Sequence, residues 1–239
     1  MKILNTQKLI IYSILILSLV IIFLNDIFLK NIPEIFFFGN EIGNILSSLS
    51  LAYISSFIFY LVVVVLKEKR DKKNIYESVH YLTNVLLTRA YAVYDHTIEA
   101  SEKNKNDYKR DEITKDDFLD ICKTAKLHTY PKYKRMGYPN TVKAKHSEFI
   151  SKDCIKGIDI YADKIFSYMP FLDSEYVKLI NNIRNCVFYV NFGRALPLLA
   201  KSEGINVRIA ESMFEYFQLV RELEKYNNFI HKKYFCKKK

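Results

Sequence analysis

Arg89 and His96 come nearest to a chemical pair in this 239-residue chain. Seven positions along a helix return almost to one face, so a guanidinium and an imidazole at this spacing can point together. The four cysteines, Cys122, Cys154, Cys186 and Cys236, are far apart, with no C-x-x-C pair and no adjacent histidine to suggest zinc. No Gly-rich phosphate loop, nucleophile elbow, His-Glu-x-x-His or carboxylate cluster of metal-site spacing appears. The residues therefore predict no catalytic group, no metal and no cofactor, with thiols reduced and mostly buried.

A second group suits binding more than catalysis. Residues 129–146, TYPKYKRMGYPNTVKAKH, hold Lys132, Lys134, Arg135, Lys143 and Lys145 with no acid, interleaved with Tyr130, Tyr133 and Tyr138. Pro131, Gly137 and Pro139 keep the stretch out of a helix. Cations and aromatics on one loop fit phosphate contact with base stacking. They fit equally a membrane-facing loop, with tyrosines at head-group depth and cations on anionic lipid.

The elements that position these groups are organised around a membrane. Gly43 to Leu66 contains no charge and is long enough, at about 1.5 Å per residue, to cross a bilayer as one helix. It ends at Lys67-Glu68-Lys69-Arg70-Asp71-Lys72-Lys73, a basic flank of the kind that stays in the cytoplasm. An earlier apolar run, Leu9 to Leu24, follows Lys2 and Lys8 and extends to Leu29. Bulky residues after it, Asn25-Asp26-Ile27-Phe28, offer no small-x-small cleavage site, which favours a retained helix over a signal peptide. The Lys/Arg asymmetry then places both termini in the cytoplasm of a multi-pass inner-membrane protein, with a short outer loop in which Phe36, Phe37 and Phe38 follow Pro33 as an interfacial anchor.

The second membrane helix differs in kind from the first. Asn44, Ser48, Ala52 and Ser56 recur every four positions with Ser47, Ser50 and Ser55 nearby and Tyr60 beyond, a stripe that lets backbones approach and hydroxyls bond across the contact. It serves either packing against the first helix or self-association, with its polar members lining a wet path.

Net charge locates the rest. The chain carries +10, yet Lys2, Lys8 and Lys30 balance Asp26, Glu34 and Glu41 before residue 67, so all the excess lies beyond the apolar segments. A basic domain beneath the anionic leaflet explains this balance, with nucleic acid the alternative partner. Six glycines and five prolines in the whole chain leave that part helical. Ile75, Val79, Leu82, Leu86, Ala90, Val93 and Ile98 mark an amphipathic helix to about Glu102. Thr114 with Asp117 starts a short helix over 116–127. Ser147 to Tyr168 reads as a helix interrupted by Gly157. Asp173 or Ser174 caps one reaching about Val190, with Val177, Ile180, Ile183, Val187 and Val190 inward, and 206–230 forms the last. The expected fold is all-α: a transmembrane hairpin over 1–66, its helices about 9–29 and 43–66, then a cytoplasmic helical bundle over 67–239.

Two resemblances add to this reading. Arg89-x6-His96 is similar to the Arg-x(4 to 6)-His pattern of helical HEPN ribonucleases, although Ala90 stands where those enzymes usually carry a polar residue, and Arg184-Asn185 has no histidine behind it. A surface Arg and His on an amphipathic helix account for the pair with no chemistry at all, and that is the favoured reading. Ser48 to Asn74, SLSLAYISSFIFYLVVVVLKEKRDKKN, resembles the second helix of small two-helix bacterial membrane proteins, among them effectors of anti-phage systems such as retrons. That resemblance implies an effector that damages the inner membrane when a sensor is disturbed by infection. Its partners would be membrane lipids, further copies of itself, and a cytoplasmic sensor protein or nucleic-acid complex. The alternative is a membrane-tethered scaffold without enzymatic activity.

Overall fold

The computed structural model describes residues 2–25, 38–101, 103–104, 107–108, 110, 112–131, 144–200 and 204–235. Among them the regular structure is helical throughout: α1 (Lys2–Phe23), α2 (Gly39–Tyr60), α3 (Leu66–Ala100), α4 (Lys115–Thr124), α5 (His146–Phe149), α6 (Lys156–Phe166), α7 (Ser174–Asn185), α8 (Leu196–Leu199) and α9 (Val207–Phe235). Wider π-helical turns at Leu61–Val65 and Ile150–Ile155 join α2 to α3 and α5 to α6, and a third, Phe188–Gly193, follows α7. The expected all-α class is the class observed. The chain divides into two compact units, Met1–Lys72 and Lys73–Lys239.

In the first unit α1 lies antiparallel on α2. The Tyr53 hydroxyl donates to the Ile11 carbonyl at 2.9 Å, the Asn25 amide donates to Ser47 Oγ at 2.8 Å, and Tyr12 meets Phe57 edge-on with ring centroids 5.9 Å apart. Gly43 leaves room for this seam, because a Cβ there would stand 2.5 Å from Asn25 Oδ1 and displace that side chain. Ser18 of α1 and Ser50 of α2 are the buried residues of this pair. Elsewhere both helices expose apolar side chains, Leu9, Ile16, Leu49 and Phe59 among them. Within the helical run Gly39–Ala100 the most apolar 18-residue window has a mean hydropathy of 2.4 and is only 11% buried. That run is long and apolar enough to cross a membrane, and its apolar window, unlike the buried later turns of α3, is mostly exposed. Leu9–Phe23 is a shorter apolar helix. Pro33, Phe36 and Phe37 lie outside the described residues, while Phe38 adopts φ 69° immediately before α2.

The second unit is built on α3 and α9. Val79, Leu86, Ala90, Val93 and Ile98 are buried, as their spacing predicts, and so are Met213, Phe217, Val220 and Leu223 of α9. Phe118 of α4 enters between Tyr94 and Phe217, ring centroids 6.2 and 5.2 Å away. Thr114 Oγ1 accepts the Asp117 amide at 3.2 Å, so the expected capping box starts α4. The chain returns at Gly204, whose φ of 79° and whose approach to the Lys123 carbonyl leave no room for a side chain.

Two local expectations are corrected. Gly157 does not interrupt a helix; it lies inside α6, where its missing Cβ admits the stem of Arg89. The helix after Asp173 ends at Asn185 instead of Val190, and Cys186 takes an extended backbone. That break changes the phase of the chain, so Phe188 and Tyr189 enter the core and Val187 and Val190 face outward.

Candidate functional site

Of the residues singled out on α2, Ser47 and Ser50 face α1, whereas the four-spaced stripe does not. At ~100° per residue the seam formed by Gly43, Ser47, Ser50, Ile54 and Phe57 lies on roughly the opposite side from Ser48, Ala52 and Ser56. Asn44, Ser48, Ala52, Ser55, Ser56 and Tyr60 are all exposed. The intramolecular contact therefore uses another face, and the small-residue stripe stays open.

Of the basic loop, Tyr130 and Lys145 are described, and Lys132, Tyr133, Lys134, Arg135 and Lys143 lie outside the described residues. Tyr130 is exposed. Lys145 precedes α5, its backbone N–H donating to Glu148 Oε2 at 3.1 Å.

Arg89 and His96 are not a surface pair. His96 is 0% exposed, and its Nδ1 lies 3.0 Å from Nδ1 of His146, itself 1% exposed. Three backbone bonds bring them together: Lys126 N–H to the Ala100 carbonyl at 2.8 Å, Ser147 N–H to Leu127 at 2.9 Å, and His146 N–H to Thr129 at 3.0 Å. Glu99, one helical turn after His96, completes a cluster whose three ligand atoms lie within 4.8 Å of one another. Phe149 stacks on the His96 ring, centroids 5.3 Å apart. Sequence reasoning missed this group because its third member is fifty residues away, and His-x-x-Glu on a helix is too common a spacing to notice alone.

A second polar centre joins α3, α7 and α9. The Tyr176 hydroxyl lies 2.7 Å from both Thr83 Oγ1 and Asn227 Oδ1, and the Asn227 amide donates to Asn84 Oδ1 at 2.9 Å. His80 closes the circuit: Nδ1 lies 3.1 Å from Asn227 Oδ1, an acceptor, and Nε2 lies 3.0 Å from the Asn84 amide, a donor. These partners select the neutral imidazole protonated at Nδ1. Its other neighbour, His231, stacks on it at 4.2 Å. Burial, followed by the His231 charge, holds His80 below its ordinary 6.5, with the Asn227 bond opposing. The unfolded chain then takes up the proton more readily, so this contribution to stability is full above ~6.5 and is lost as pH falls through the lower folded-state value. Thermal unfolding should accordingly show a Tm that drops between about pH 7 and pH 5, and His80→Gln should flatten that slope. An identical slope in the variant would remove His80 as its source.

Two remaining features are chemically quiet. A surface cleft of about 260 Å³ is lined by Asp159, Asn181, Arg184 and Arg194. Its arginines are paired with acids, Arg194 with Asp159 at 2.7 Å and Arg184 with Asp163 at 2.8 Å and Asp159 at 3.3 Å. Burial pushes the Cys122 thiol up to about 12, which keeps it protonated and unreactive. No known protein family, curated protein or solved structure matches this chain.

Proposed function

We propose that this chain is a non-enzymatic inner-membrane effector: a two-helix hairpin with both termini cytoplasmic, carrying a helical bundle that a cytoplasmic partner restrains until the hairpins assemble through α2 and leak ions. The observation that carries this reading is the open stripe, since α1 occupies another face of α2 and leaves Ser48, Ala52 and Ser56 available to a second copy. The apolar exposure of α2 and the basic flank after it support the membrane setting. The resemblance of residues 48–74 to defence effectors supplies the biological context.

Expression with its trigger should collapse the membrane potential of the host cell within the onset of growth arrest. Arrest at an unaltered potential would sink the leak mechanism. Exchange of residues 1–66 for an unrelated two-helix anchor should abolish activity; retained activity would favour the tethered scaffold instead.

A further inference from the structure

We propose that His96 Nδ1, His146 Nδ1 and a carboxylate oxygen of Glu99 bind one divalent transition-metal ion of the zinc class, tying the end of α3 to the start of α5. The ligand atoms already converge, the two nitrogens 3.0 Å apart and all three atoms within 4.8 Å. Nitrogens bound at about 2.05 Å to a tetrahedral zinc stand roughly 3.3 Å apart, so the two imidazoles need part by only a few tenths of an ångström, while the Glu99 carboxylate, within 4.8 Å of them, swings in on its side-chain torsions. Two imidazoles with one carboxylate select the later first-row ions; calcium and magnesium prefer shells of oxygen.

The surroundings suit a structural ion. His96 and Glu99 stand three apart on one helix face, and His146 is set by its own amide bond to the Thr129 carbonyl. Phe149 against the His96 ring fixes the plane of the imidazole. Both imidazoles are buried, with Phe149 against His96, so an ion there is shielded from exchange with water. A direct hydrogen bond between the two imidazoles is the competing use of the same 3.0 Å distance.

Cobalt and zinc decide between these uses. The purified full-length protein, stripped with a chelator and titrated with Co²⁺, should bind one ion per chain with the visible absorption of cobalt held by nitrogen and oxygen. Saturating Zn²⁺ should displace it and raise Tm by about 5 °C. Glu99→Gln, at a half-buried position, should retain helical content and weaken binding about tenfold or more, and His146→Ala should abolish it. A wild type that shows neither stoichiometric cobalt nor a zinc-dependent Tm overturns the site, as does unchanged affinity in folded Glu99→Gln. Where His146→Ala loses its helical signal, the wild-type titration and Glu99→Gln decide alone.

Discussion

Ala52→Leu is expected to insert as the wild type does, yet to lose self-association and with it all effect on the membrane. The added side chain projects from the exposed stripe of α2, away from the seam that holds α1, so the Tyr53, Ser47 and Phe57 contacts stay intact. Between two α2 helices it would hold apart backbones that Ser48, Ala52 and Ser56 otherwise let approach closely. Cysteine crosslinking in membranes should show the dimer band fall about tenfold or more, and depolarisation should vanish with it. Ile58→Leu, also exposed but about 120° round the helix from Ala52, should change neither readout. Normal crosslinking and depolarisation in Ala52→Leu would end the oligomeric reading and leave the stripe without a role in assembly.

Asn227→Ala should be the most destabilising single change among the polar core residues, costing about 3 kcal/mol and lowering Tm by roughly 10 °C. Asn227 is 1% exposed and serves three partners at once. Its Oδ1 accepts from Tyr176 and His80, which leaves Thr83 to donate to the Tyr176 oxygen, and its amide supplies Asn84. Truncation strands the buried Tyr176 hydroxyl and the half-buried His80 N–H, while the exposed Asn84 turns to water, and an unmade buried bond costs more than a made one contributes. Asn228→Ala, one residue on and exposed, should stay within about 0.5 kcal/mol of the wild type. Calorimetry of both variants checks the pair; a loss under ~1 kcal/mol at 227 would mean that solvent replaces the missing amide.

Periodicity alone made much of the fold legible. Val79, Leu86, Ala90, Val93 and Ile98 could be placed inward from their spacing, and Thr114 with Asp117 could be placed at a helix start, because those signals are local. The break at Cys186 was not legible, since Val187 and Val190 continue an apolar pattern that only competition with Phe188 and Tyr189 for core volume can overrule. Gly157 misled for a related reason: glycine weakens a helix on its own, but here it admits the Arg89 stem, a contact between distant segments. The same holds for the sites. The stripe on α2 was visible as a pattern, but which face α1 would take was not. His146 could join His96 and Glu99 only once residues 126–129 had been folded across the end of α3.

Two polar ties among the described residues, one from α1 and one from Asn25 just after it, hold α2 and differ in what they allow the sequence to become. Asn25 meets Ser47 and overhangs Gly43 through its side chain, so a larger residue at 43 keeps the tie only if position 25 changes with it; these positions can drift over generations only as a set. Tyr53 instead grips the backbone carbonyl of Ile11, which every amino acid supplies. Position 11 is thereby free to wander among apolar residues while the tie persists, and the seam can age unevenly along its length without coming apart.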